Sequence, residues 1–253
     1  MMILTLAQRE LRALFLSPLA WSVLALVQFI LAYLFLSQLQ EFINLQAQIR
    51  VMNTPIGITD IVVTPIYGSA TFIMMMVVPL LTMRVISDER RNNSLTLLFS
   101  APLSMSEIII GKYLGVLGFM LIMIGMISLM PVALMFVTQI DTGLFLALIL
   151  AVSLLMAAFT AVGVYMSTLT KQPTVAAIST FGILLILWII DWAGSKVGDA
   201  GTSEALQYLS MLRHFEALSK GVFNSSDVIY YLLIITTFMV LSIRRLDADR
   251  LQH

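Results

Sequence analysis

The chain has 253 residues, 60% hydrophobic and 11% charged, with a mean hydropathy of +0.99 and a formal net charge of zero. Soluble domains carry about 25% charged residues, so this surface does not mainly face water, and the neutral balance argues against a general nucleic-acid binder. There is no cysteine, which removes disulfides, zinc thiolates and cysteine nucleophiles from consideration.

The first element is amphipathic. Leu4, Ala7, Leu11 and Leu14 recur at helical spacing with Thr5, Gln8, Arg9 and Arg12 between them, which predicts a helix over 3–16 able to lie in a membrane interface. Ser17-Pro18 breaks it and turns the chain into the bilayer. No A-x-A-like cleavage site follows, so the first span is expected to stay as an uncleaved anchor.

Six apolar runs follow, each suited to a hydrocarbon core about 30 Å thick. They are expected at 18–37, 63–83, 113–137, 143–167, 174–193 and 228–243. The sequence therefore predicts an all-α, polytopic membrane protein, with residues 1–253 forming a single transmembrane domain. An even number of spans puts both termini on one side. That side carries Arg9, Arg12, Arg84, Arg90, Arg91, Lys112, Lys171, Arg244, Arg245 and Arg250, against Arg50, Lys196, Arg213 and Lys220 on the other. The positive-inside rule then predicts both termini in the cytoplasm.

The outer connections are expected at 38–62, polar and Gln-rich, and at 194–227. The latter is expected to hold a second amphipathic helix, with Leu206, Leu209, Leu212, Phe215 and Leu218 on a rough stripe. Lys220 sits in its last turn and Gly221 is a plausible stop.

The spans hold no Asp, Glu, Lys, Arg or His well inside them; Asp191 stands at the end of the fifth. Ion-coupled carriers need such groups at membrane depth, which weighs against a secondary transporter. Gln28, Ser128, Ser153, Thr160 and Thr180 are the main midplane polar residues, and such groups generally bond their own helix or a neighbour. Only two histidines occur, His214 in an outer loop and His253 at the terminus, so hydrolase and metal-protease sets are missing. Met120, Met123, Met126 and Met130 share a helical face, and Met74, Met75 and Met76 form a triplet. Thioethers can bind Cu(I), but without Cys or His partners these residues read as an adaptable packing surface.

The most elaborate inner connection is Ser87–Lys112. Asp88, Glu89, Arg90 and Arg91 form a charge cluster after the second span, and Leu95, Leu98 and Phe99 then fall at i, i+3, i+4 on one face of a short surface helix. Pro102 stops it. Ser104 with Glu107 is a capping box for a new helix, and Gly111 with Gly115 forms a G-x-x-x-G that permits close packing on a neighbour. On physical grounds this is equally a topogenic loop or a lever for a partner.

The segment resembles the corresponding stretch of type-2 ABC exporter permeases, in particular the gliding-motility (GldF-like) subgroup. The likeness lies in Asp88-Glu89-Arg90-Arg91, Leu95 to Phe99, Ala101-Pro102-Leu103-Ser104 and Glu107 to Lys112. It extends to Glu10-Leu11-Arg12 with Ser17-Pro18, to Val78-Pro79 with Thr82-Met83-Arg84, to Ser167 to Thr170, and to His214-Phe215-Glu216 with Lys220-Gly221-Val222. A usual glycine is Asn93 here, and a commonly acidic position is Thr96. The resemblance implies that 87–112 contains a coupling helix seated in a nucleotide-binding subunit. Asp88, Glu89, Arg90, Arg91, Leu95, Leu98, Phe99 and Pro102 would be the contact. It also implies two ATPase copies, a second permease subunit, identical or related, and a bacterial inner membrane. ATP and Mg would sit in the partner, since Gly111-Lys112 lacks the rest of a P-loop; this chain is expected to have no catalytic, cofactor or metal site. Two other readings stay open: a mechanotransmission or assembly subunit acting on an extracytoplasmic protein, and a non-transporting membrane anchor.

Overall fold

The computed structural model describes residues 2–52, 57–92, 104–194, 208–221 and 224–250, with backbone alone for 47–52 and 191–194. Among the described residues the chain is helical and has no strand. In chain order the helices are α1 (Met2–Leu16), α2 (Pro18–Met52), α3 (Thr64–Thr82, entered through a π-helical turn at Thr59–Val63), α4 (Ser87–Arg91), α5 (Met105–Met135), α6 (Thr142–Leu169), α7 (Pro173–Gly194), α8 (Met211–Ser219) and α9 (Ser225–Arg250). Six of them, α2, α3, α5, α6, α7 and α9, are long and apolar enough to cross a membrane. The protein is an all-α, multi-pass membrane protein.

The predicted breaks appear where local chemistry demands them. Ser17 is the one non-helical residue between α1 and α2, and Trp21 donates its indole N–H to the Phe15 carbonyl across the corner at 2.7 Å. Ser104 Oγ accepts from Glu107 N at 3.2 Å while Glu107 Oε2 accepts from Ser104 N at 3.0 Å, so the capping box starts α5. Gly221 has φ +76°, a left-handed value that suits glycine, and it closes α8.

Several boundaries differ. The first helix crossing does not end at 37: α2 runs on to Met52, absorbing 38–52 from the expected outer connection. That stretch is polar but rich in Gln, Leu and Ile and free of Gly and Pro, so it has good helix propensity. At 35 residues α2 spans about 52 Å, well beyond a bilayer core. The capped helix at 105 and the third span are one continuous helix, ending at Met135 rather than 137. The last helix extends from 225 to 250, past the expected 243, because its charged end is stabilised by ion pairs. The charge cluster at 88–91 is itself helical, as α4. Leu95, Leu98, Phe99 and Pro102, with Asn93 and Thr96, lie outside the described residues, as do Leu206 and Val222.

α6 is the axis of the bundle, packing on α3, α5, α7, α8 and α9. Its small residues Ala151, Ala158, Ala161 and Gly163 are fully or almost fully buried and let neighbours approach. A Cβ on Gly163 would stand 2.3 Å from Thr82 Oγ1, so the Thr82 side chain of α3 packs directly on the α6 backbone there. The midplane hydroxyls of Ser153, Thr160 and Thr180 each bond a carbonyl of their own helix four residues back. Ser128 also meets Tyr67 Oη at 2.6 Å, and Gln28 reaches the Met123 carbonyl at 3.5 Å.

α1 packs along α5 more extensively than any other pair of elements meets. The glycines expected to admit a neighbour admit this one. A Cβ on Gly111 would lie 2.7 Å from Leu6 Cβ, and one on Gly115 would lie 2.6 Å from Glu10 Cβ. The packed face is therefore Ile3, Leu6, Ala7, Glu10, Leu11, Leu14 and Phe15, and Leu4, expected on the apolar stripe, is 71% exposed. The stripe is rotated because the partner is a grooved helix that accommodates Glu10, not a flat interface.

Candidate functional site

The Ser87–Lys112 segment leaves the bundle through a corner at 83–87, between α3 and α4. A corner of this kind exposes backbone amides that no helix satisfies. Ser167, near the end of the central α6, supplies the missing partner: its Oγ accepts from Ile86 N at 2.9 Å and Ser87 N at 3.1 Å and donates to the Met83 carbonyl at 3.3 Å. One hydroxyl so uses its donor and both acceptor positions. Ser87 Oγ adds a bond to the same Met83 carbonyl. The corner is locked to the axis of the molecule.

Beyond the corner, two ion pairs fasten α4. Lys112 has a side chain only 5% exposed, and its Nζ stands 2.8 Å from Glu89 Oε1, 2.8 Å from the Val85 carbonyl and 3.4 Å from Glu10 Oε2. The ammonium thus has three acceptors, enough to satisfy its three hydrogens. Arg90 pairs with Asp249 on α9, and Arg245 reaches the same carboxylate from one turn back at 3.8 Å. α1, α4, α5 and α9 therefore meet at one charged joint, with Ser167 of α6 beside it.

Of the residues expected to face a partner, the structure brings Glu89 and Arg90 inward to this joint. Asp88 is half-buried, and Arg91 is exposed. Gly111 and Gly115 seat α1, which in turn carries Glu10 to Lys112. Sequence motifs contain Glu10 and Lys112 only within longer stretches and do not contain Asp249. Their partners lie 102, 23 and 159 residues away along the chain, a separation that no local spacing reveals. Gly111-Lys112 has an occupation of its own: the glycine admits α1 and the lysine anchors the joint.

At the opposite end of the bundle, α8 is short and amphipathic. Ser210 Oγ caps it by accepting from Arg213 N, and Met211, His214, Phe215 and Leu218 form its buried face, on α6 and α9. His214 lies on this helix, as the predicted amphipathic stripe implies. Its Nδ1 lies 2.6 Å from Asp227 Oδ1, its Nε2 3.0 Å from the Tyr208 carbonyl, and its ring stacks on Tyr230 with centroids 4.0 Å apart. Leu209 precedes the helix and is exposed, so the apolar stripe begins at Met211 instead.

This arrangement fixes the corner and α4 against α1, α5, α6 and α9; among the described residues no cluster of three His, Asp or Glu could hold a metal. Comparison with known proteins bears on its use. The family described as ABC-2 family transporter protein matches residues 4–251, nearly the whole chain, including the joint and all six crossing helices. No curated protein matches the chain. The chain belongs to the ABC-2 transporter family and is a transmembrane permease subunit of an ABC transporter.

Proposed function

We propose that this chain is the permease of an ATP-driven exporter of type-2 architecture, of the gliding-motility (GldF-like) kind. In this reading it resides in a bacterial inner membrane with both termini cytoplasmic, and it pairs with a second permease, identical or related. Two copies of a separate ATPase hold ATP and Mg and press on the 87–112 segments. Contact is made by Asp88, Arg91 and the Leu95, Leu98, Phe99, Pro102 stretch; Glu89 and Arg90 pass the displacement on. The observation that carries the proposal is the Lys112 joint. A topogenic loop has no need of a buried lysine shared by α1, α4 and α5, whereas a load-bearing segment does. Nucleotide-driven approach of two such segments would shift α1, α5 and α9 together and open a path between the permeases.

A bulky hydrophobic, lipidic or polymeric substrate fits this interior better than a small ion, because the midplane hydroxyls of Ser153, Thr160 and Thr180 already bond carbonyls of their own helices and no ionisable group lies beside them in the sequence. The test of the coupling proposal is capture of the tagged chain from native membranes, against a Leu98→Asp, Phe99→Asp variant inserted at equal level. A P-loop ATPase is expected with the first and not the second. Absence of an ATPase from both overturns the proposal. ATPase stimulation by small hydrophilic solutes alone would contradict the substrate class.

A further inference from the structure

Beside the joint, on the outward side of the same corner, lies a groove of about 730 Å³ between the end of α3 and the start of α7. Its walls carry Arg84, Arg91 and Lys171, all exposed, against the single carboxylate of Asp88. The charges of Lys112 and Arg90 are balanced by Glu10, Glu89 and Asp249, but among the described residues these three cations have no ion-pair partner. Like charges gathered without compensation favour an anionic occupant.

Depth narrows the occupant further. α3 has 19 residues, about 28 Å of helix, and Arg84 follows two residues beyond its end, at the edge of the hydrocarbon layer. Lys171 immediately precedes the Gln172-Pro173 start of α7 and shares the groove, hence the same level. From Arg84 a stripe at four-residue spacing runs back down α3 through Leu80, Met76 and Phe72, which are 42%, 47% and 44% exposed. On the antiparallel α7, Thr174 leads to Ile178, 74% exposed, and Trp188 meets Phe72 edge-on. Cationic groove and apolar seam are continuous.

We infer that this groove and seam bind an anionic phospholipid, its phosphate held by Arg84 and Lys171 and its acyl chains lying along α3 and α7. A basic pocket between spans at the cytoplasmic boundary is the setting in which anionic headgroups bind. A soluble partner would satisfy the cations but not the seam inside the hydrocarbon layer. A second copy of this chain would cover the seam but bring the same three cations. The inference rests on the chain's crossing a membrane, not on its contact with an ATPase.

The test reconstitutes the full chain in nanodiscs of mixed phosphatidylglycerol and phosphatidylcholine and counts retained lipids by native mass spectrometry. Wild type is expected to retain phosphatidylglycerol preferentially, and Arg84→Gln with Lys171→Gln to reduce that retention about tenfold or more, at roughly a few-fold per cation. The charge-preserving Arg84→Lys, Lys171→Arg pair should keep it. Equal retention of both lipids, retention unchanged by the Gln variant, or displacement by inorganic phosphate alone overturns the inference. Loss of ATPase capture with lipid retention intact would assign the groove to the ATPase instead. Should the Gln variant fail to insert, the wild-type preference and its decline with rising salt decide the matter.

Discussion

Lys112 Nζ stands 2.8 Å from Glu89 Oε1 and thereby ties the helix entering the third crossing to the first turn that leaves the second. The pair is screened from water, with side chains 5% and 23% exposed, and Glu10 approaches the same ammonium from the N-terminal helix. Removing the cation leaves two carboxylates without it. Lys112→Met is therefore expected to destabilise the protein by about 3 kcal/mol, read as a lower thermal midpoint in detergent. Glu89→Gln added to Lys112→Met should cost less than the two single changes summed.

The same variant separates binding from transmission. In Lys112→Met the 93–103 stretch is unaltered, so ATPase capture should remain. The rate at which the complex hydrolyses ATP in response to substrate should fall, by about tenfold if the joint supplies some 1.4 kcal/mol of coupling. Loss of capture together with stimulation would mean that Lys112 shapes the contact itself.

Ser167→Ala removes the acceptor for the amides of Ile86 and Ser87. Buried amides without a partner cost about 1–3 kcal/mol, and here the effect is local. Hydrogen exchange should quicken at 83–92 and stay unchanged along α7. Uniform acceleration would show that Ser167 supports the whole bundle and not the corner.

Gly115→Ala puts a Cβ 2.6 Å from Glu10 Cβ and 2.9 Å from the Ala7 carbonyl. α1 has to shift, at a cost of about 1–3 kcal/mol, drawing Glu10 from Lys112. Proteolysis before Ser17 should then become faster, and Gly125→Ala, which meets nothing within 4 Å, serves as the control.

At the far end, His214 and Asp227 have side chains 7% and 8% exposed. His214→Ala leaves the carboxylate without its partner and is expected to cost about 3 kcal/mol, whereas His214→Ala with Asp227→Asn should recover part of it. Strict additivity of the two changes would refute a direct interaction.

What the sequence disclosed was local. Ser104 with Glu107, Ser17-Pro18 and Gly221 act on residues within a turn or two, and the Gly111–Gly115 spacing announces a groove though not which helix fills it. The polar 38–52 stretch misled because polarity suggests an outer loop, while propensity, which α2 obeys, favours helix. Leu4 and Ile3 compete for the same stripe, and only the groove offered by Gly111 and Gly115 decides between them. The joint itself was out of reach: Glu10, Lys112 and Asp249 are each an ordinary helix charge until the bundle brings Glu10 and Glu89 to Lys112 and Asp249 to Arg90. The pairing of His214 was hidden for the same reason, since Asp227 and the Tyr208 carbonyl reach it from outside its own helix.

The central claim is that a separate ATPase engages the chain between α4 and α5. A photocrosslinking amino acid at Leu98, irradiated in native membranes, tests it most directly, with Leu129, 64% exposed on the membrane-crossing face of α5, as the control position. The account predicts that Leu98 yields one major adduct to a P-loop ATPase, identified by mass spectrometry, and that Leu129 does not. Adducts to lipid alone at both positions would contradict it and leave 87–112 as a topogenic connection.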